Sequence, residues 1–327
     1  MQSENHFINT QEMQKLAVVA FGGNALLRAG EVGTVNEQKI NVFKTCESLL
    51  TLIKQDYNLV IGHGNGPQVG NILLQVEAGE KTYNIPQMPM DVCGAYSQGF
   101  IGYLIEQQLN NVLNKHRIKK NILTLVTQVI VDENDMAFQH PTKPVGPYYT
   151  EEEMNAVKEK HQNYHFALDP KGKGWRRVVA SPKPLEVKNT EIIKNLACKG
   201  NIVITVGGGG IPVYIDKEKR LEGIEAVIDK DLASSNLATQ IKADEFYILT
   251  DVPKVYINFR KPNEKALDTI TIAEAKKYLA DGHFTEGSMA PKIRAAIHFI
   301  ENGGKKCIIT DANQLSNPTN GTQIVVP

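Results

Sequence analysis

The chain has no surplus of charge of either sign. Its 36 lysines and arginines match 36 aspartates and glutamates, and its isoelectric point is near 7.1. The basic excess needed for a nucleic-acid footprint or an acidic membrane surface is missing, so neither partner is expected. Cysteine is sparse: Cys46, Cys93, Cys198 and Cys307 are scattered with no CxxC spacing. They read as buried or incidental thiols in a reducing compartment, not as a disulfide frame or a zinc motif. No apolar run approaches the length that spans a bilayer. Residues 1–15 have neither an apolar h-region nor an arginine. They suit neither a secretory signal nor a transit peptide, and a cytoplasmic location is expected. Familiar catalytic signatures are lacking as well. No GKS or GKT follows a glycine loop, and there is no GxGxxG, serine elbow or HExxH, which disfavours a Walker ATPase, a dinucleotide-dependent oxidoreductase and a zincin. Cys93 has no partner histidine in sequence reach, so a nucleophilic cysteine is not expected.

What the chain does have is glycine, placed three times at the end of an apolar run. Ile202–Val206 is entirely β-branched, suits a strand buried on both faces, and is followed at once by Gly207–Gly210. Leu16–Phe21 runs into Gly22, Gly23 and Asn24, and Asn58–Ile61 into Gly62, His63, Gly64, Asn65, Gly66 and Pro67. Successive free N–H groups at such turns form anion-binding nests, with phosphate the usual guest; a ligand-free tight turn is the alternative. Three strand ends of this kind suggest one crevice at the carboxyl edge of an open α/β sheet. We take Ile202–Val206 as the central strand.

Between the glycine turns, apolar spacing predicts helices over Glu37–Gln55, Pro67 to about Val76, Asp91–Asn114, Glu191–Lys199, Asp231–Ile241, Ile272–Leu279 and Pro291–Glu301. Gly94, Gly99 and Gly102 would let the long Asp91–Asn114 helix pack closely. Asn121–Val131, Glu245–Leu249, Lys306–Thr310 and Thr322–Val326 read as strands, and Val213–Leu221 as a hairpin. Asp132–Arg177 is polar and broken by Pro141, Pro144 and Pro147, apart from a short charged helix at Glu151–Lys160. It reads as an irregular protruding flap, with a structureless insertion as the alternative.

Lysines supply the candidate chemistry. Lys230 stands between Asp229 and Asp231 at a helix start, where it can neutralise phosphate while an aspartate holds the ammonium; Asp231 is a candidate cap. Lys292 also falls near a helix N-terminus, which the dipole disfavours unless an anion is close. Lys143 lies on the flap between prolines, and position alone does not raise it above a surface lysine. Asn24 and Asn65 offer amide donors or simply turn residues. His63 reads as a hydrogen-bonded core histidine. Arg176 and Arg177 could pin the flap to the body.

Together AFGGNAL (20–26), GHGNGPQVG (62–70), MDVCGAYSQGFIGY (90–103), PTKPVGPYY (141–149), WRRVVASPKP (175–184), GGGGIPV (207–213), EAVIDKDLA (225–233), LTDVPKVYINF (249–259) and GSMAPKIRAAI (287–297) resemble segments of the carbamate kinases within the amino-acid kinase family, in the same order over nearly the whole chain. The resemblance implies a three-layer α/β/α sandwich with a mostly parallel sheet. It implies one domain over 1–327, with a carbamate-binding half (1–200, including the flap) and a nucleotide-binding half (201–327). It also implies a homodimer, Mg²⁺ with ATP or ADP, and reversible phosphoryl transfer between ATP and carbamate, run toward ATP in arginine deiminase catabolism. By position it assigns Gly22, Gly23, Asn24, Gly64 and Asn65 to the carbamate and transferred phosphoryl group. Lys143, Lys230, Asp231 and Lys292 become catalytic. Gly208, Gly209, Gly210, Thr250, Asp251, Tyr256 and Met289 surround the nucleotide with Lys230 and Lys292. No residue is assigned as a metal ligand. Ala20 stands where acetylglutamate kinases carry lysine, which argues against that substrate. A sister kinase or a nucleotide sensor without turnover are the competing readings.

Overall fold

Period-two alternation in one strand sets up the architecture. In Leu16–Phe21, Leu16, Val18 and Ala20 join one apolar cluster, Ala17, Val19 and Phe21 another, and all six are buried. A strand buried on both faces needs helices on both. The computed structural model describes residues 14–28, 30–169, 172–315 and 320–326, and for Asn24 the backbone only. It places this strand inside an eight-stranded sheet in the order Thr269–Thr271, Thr322–Val325, Lys306–Asp311, Glu245–Thr250, Leu16–Phe21, Asn58–His63, Ile202–Ile204 and Ile122–Thr124. Every neighbouring pair is parallel except Lys306–Asp311 with Thr322–Val325. Val35–Ser48, Leu50–Lys54 and Met90–Lys115 cover one face. Thr190–Cys198, Lys230–Gln240, Ile272–Ala280 and Met289–Glu301 cover the other. The expected three-layer α/β/α sandwich is therefore the fold.

Several local expectations are corrected. Ile202–Ile204 is next to the sheet edge, and the middle belongs to Leu16–Phe21 and Glu245–Thr250. Asn121–Val131 is not one strand. Gln98, on the long helix, accepts from the Thr127 N–H (2.8 Å) and donates to the carbonyls of Thr127 (3.1 Å) and Gly207 (3.0 Å). The chain breaks there: Ile122–Thr124 stays in the large sheet, while Gln128–Ile130 joins a second sheet with Ile211–Ile215, Leu221–Gly223 and Glu186–Val187. Glu37–Gln55 is two helices, the first begun earlier by a Thr34–Glu37 capping box. Of the three helix glycines only Gly102 meets a neighbour, since a Cβ there would lie 2.2 Å from Thr124.

The flap is not irregular. Lys143–Tyr149, His165–Leu168 and Trp175–Val179 form an antiparallel sheet of their own, with the expected helix Glu151–Lys160 inserted and capped by Thr150 and Glu153. Alternation was hidden because much of this small sheet is only half-buried. Arg177 does link flap to body through an ion pair with Glu225, and its guanidinium stacks on Tyr164. Arg176 instead donates to the Gly146 carbonyl within the flap.

Candidate active site

Three glycine turns converge at the carboxyl ends of parallel strands, as the sheet topology demands. Two adjoining cavities, of about 460 and 360 Å³, share Gly23, Gly287, Ser288 and Lys292 as a common wall. The smaller one is also lined by Gly64, Asn65, Lys143, Gly208, Lys230 and Asp231, and the larger by Gly22, Thr250 and Asp251. Residues from both 1–200 and 201–327 line this cleft.

Asp231 is the electrostatic centre. It is 3% exposed and accepts from Lys230 Nζ at 2.5 Å and from Lys292 Nζ at 2.9 Å. Burial opposes ionisation of this carboxyl, but the two ammoniums outweigh it and hold its pKa well below the usual range. Its partners respond oppositely. Burial pulls Lys230 down despite Asp231, whereas at Lys292 the carboxylate overcomes burial and raises the pKa.

Asp229, not Asp231, caps the helix Lys230–Gln240: its Oδ1 accepts from the N–H groups of Asp231 (3.0 Å) and Leu232 (3.3 Å). An aspartate preceding the helix can fold back onto those free N–H groups, while Asp231, already in the first turn, turns to the lysines. The other oxygen of Asp229 accepts from Lys143 at 3.0 Å. Three lysines thus meet two aspartates, leaving one net positive charge at the glycine turns. That is the balance an anionic ligand would complete.

The turns themselves are held by specific packing. Val206, a buried β-branched residue, has φ of +43°, a conformation such residues rarely adopt. Gly208 has φ of +65°, and a Cβ there would lie 2.2 Å from the Asn65 amide. Asn65 in turn donates to Ser97 Oγ at 2.8 Å. His63 is buried, its Nδ1 lies 2.9 Å from the Gly64 carbonyl, and burial lowers its pKa to about 4, so it is neutral at physiological pH.

Other nominated residues lie farther out. Gly209 is buried against Ile228, Gly210 is half-buried against Val129, and neither lines a cavity. Tyr256 lies against Phe259, and Met289 packs partly into the core; neither lines the cleft. The side chain of Asn24 lies outside the described residues. Sequence reasoning missed the double role of Asp229, as well as Ser288, Arg28 and Lys44 in the cavity walls. Only Asp229 carried a signal, as a capping residue before a helix.

The amino acid kinase family model matches residues 15–311. The chain belongs to the amino acid kinase family. Among curated members, it is 49% identical to the carbamate kinase of Thermococcus kodakarensis over 95% of this chain and 99% of that one. It is 46% identical to the carbamate kinase of Trichomonas vaginalis over 94% and 98%. Among solved structures, the carbamate kinase of Giardia lamblia bound to AMP-PNP superposes with a TM-score of 0.89 at 43% identity, covering 96% of this chain and 99% of that one. As a member of the amino acid kinase family, the chain places its three glycine turns and its lysine–aspartate cluster in one cleft. No helix among the described residues is long and apolar enough to cross a membrane.

Proposed function

We propose that this protein is a carbamate kinase, transferring a phosphoryl group reversibly between ATP and carbamate. The observation that carries the reading is Asp231 held between Lys230 and Lys292 beneath the glycine turns. Phosphoryl transfer asks a protein mainly for positioning and charge stabilisation. Carbamate is already an oxyanion, so no strong general base is required. In this reading Gly22, Gly23, Gly64 and Asn65, with Asn24, hold carbamate and the phosphoryl group. Lys143, Lys230 and Lys292 follow the negative charge through transfer, and Asp231 fixes the last two. Gly208, Thr250 and Asp251 face the nucleotide, with Gly209, Gly210, Tyr256 and Met289 supporting that half from behind. Residues 1–200 then serve carbamate and 201–327 the nucleotide. Mg²⁺ enters as the counter-ion of the nucleotide phosphates, whose oxygens and water are its usual ligands. The cellular setting would be the cytoplasm, and the direction ATP synthesis from carbamoyl phosphate in arginine breakdown.

With ADP, carbamoyl phosphate and Mg²⁺, the purified protein should form ATP in a coupled assay, and acetylglutamyl phosphate should not replace carbamoyl phosphate. Folded protein that binds ADP without turnover would support the sensor instead.

A homodimer belongs to the same proposal. Ile72, Ile85, Met88, Tyr96 and Phe100 line a largely apolar groove beside the long helix Met90–Lys115, and Ile85 and Tyr96 are about half exposed. Such a surface suits self-association. Sedimentation equilibrium at micromolar concentration should give about twice the chain mass, and a Tyr96→Glu chain should shift toward monomer. A monomeric wild type would refute this.

A further inference from the structure

A further cavity, of about 280 Å³, shares only Val145 with the cleft. It lies between the helix Gly66–Tyr83, the segment 87–90 and the flap. Its volume is close to the low end for small-molecule sites. Its walls combine apolar Leu73, Met88 and Val157 with Glu77 and the phenols of Tyr149 and Tyr164.

The aromatic wall is built and fixed. Tyr164 is sandwiched between the His161 ring, stacked at 4.5 Å, and the Arg177 guanidinium, 3.4 Å from its centroid. Tyr149 is held edge-on by Phe166 at 5.8 Å. Neither hydroxyl makes a hydrogen bond among the described residues, so both are available to a ligand. Burial holds both phenols above their usual pKa, aided at Tyr149 by the charge of Glu77 and opposed at Tyr164 by Arg177, so both stay neutral and can accept. The charge is also uneven. Arg177 is paired with Glu225, while Glu77 has no ion-pair partner among the described residues. The lining therefore offers one uncompensated carboxylate, two idle phenol oxygens and an apolar side.

The geometry points to a binding site for a small organic cation, an ammonium or guanidinium on a short apolar stem. The head would lie between Glu77 and the tyrosine hydroxyls, the stem against Leu73, Met88 and Val157. Such a ligand supplies the donors that carboxylate and phenols accept. Val145 forms part of both cavities, packs with Met90 and Val179, and sits two residues from Lys143 on one strand. Occupancy of the rear cavity therefore biases the lysine at the front.

The test is calorimetry on the full chain with n-butylammonium, n-butanol and butyrate, which share a stem and differ in head charge. The binding half does not depend on the proposed reaction. Butylammonium should bind at least about fivefold more tightly than butanol, and Glu77→Gln, an exposed position whose change leaves the fold intact, should erase that preference. No heat with the cation, equal binding of butanol, a preference for butyrate, or a preference surviving Glu77→Gln would each overturn the site. The coupling half rests on the carbamate kinase reading. Saturating butylammonium should shift kcat of the wild type measurably but leave kcat of the Glu77→Gln chain unchanged. An unchanged wild-type kcat would overturn the coupling. A raised KM in both chains at constant kcat would place the cation in the cleft and overturn the site.

Discussion

An Asp231→Asn chain should lose about 3 to 5 kcal/mol of stability without ligand, and regain more of it than the wild type does when phosphate or ADP is added. Asparagine keeps the shape of aspartate but not its charge. Lys230 and Lys292, at 2.5 and 2.9 Å, would then face each other with no counter-charge between them. Both are mostly buried, with side chains 13% and 15% exposed, so water in the cleft replaces only part of what the carboxylate supplies. Lys230, whose pKa burial already lowers, is the one to surrender its proton. An anion entering the cleft would restore the missing charge, which is why phosphate should rescue the variant preferentially. Without ligand-induced order the two lysines cannot meet a transferring phosphoryl group together, and kcat should fall roughly 10²- to 10³-fold. Denaturant unfolding with and without phosphate, together with kcat, decides the matter. Equal stability and equal phosphate response in both chains would reduce Asp231 to an ordinary helix-end acid.

The cluster was readable in sequence because its parts are local or carry a penalty. Asp229, Lys230 and Asp231 are adjacent, and Lys292 near a helix start calls for an anion. What could not be read was which aspartate does what. That depends on the helix beginning at Lys230, one residue before the expected start, which gives Asp229 the cap and frees Asp231 for the lysines. The large sheet was legible through strands such as Leu16–Phe21, buried on both sides, but its order was not, because apolarity records burial and not neighbours. The break in Asn121–Val131 has no glycine or proline to announce it. It is made by Gln98, and by Thr127 Oγ1 lying 2.5 Å from Thr205 Oγ1, groups that meet only in the folded chain. The glycines of Gly207–Gly210 were right as a sharp turn. At Gly209 and Gly210, however, the missing Cβ makes room for Ile228 and Val129 of the protein itself.

Lys143→Ala should lower kcat by roughly 10²-fold or more while the ADP dissociation constant changes by less than about threefold. Lys143 stands on the strand Lys143–Tyr149 of the flap sheet, apart from the large sheet that carries Lys230 and Lys292 on its covering helices. Its only ionic partner among the described residues is Asp229, at 3.0 Å. That carboxylate retains two backbone N–H donors when the lysine is removed, so no buried charge is orphaned. The lysine is itself 37% exposed, and its pair with Asp229 is worth at most about 1 kcal/mol to the fold. Stability therefore offers little reason for a lysine here, and the proposed reaction offers a better one. The phosphoryl group in flight carries charge on the carbamate side of the cleft, where buried Ala20 supplies none. Lys143 lines the smaller cavity together with Lys230 and Lys292 and can close that gap. In the proposed reaction a cation carried by the flap acts on the transition state more than on resting ADP, since the larger cavity is lined without Lys143. Steady-state kinetics and ADP calorimetry on the same preparation separate the cases. Unchanged kcat would leave Lys143 a surface lysine that happens to touch a helix cap. A large loss of ADP affinity at constant kcat would make it a ground-state nucleotide contact, with the transition state served by Lys230 and Lys292 alone.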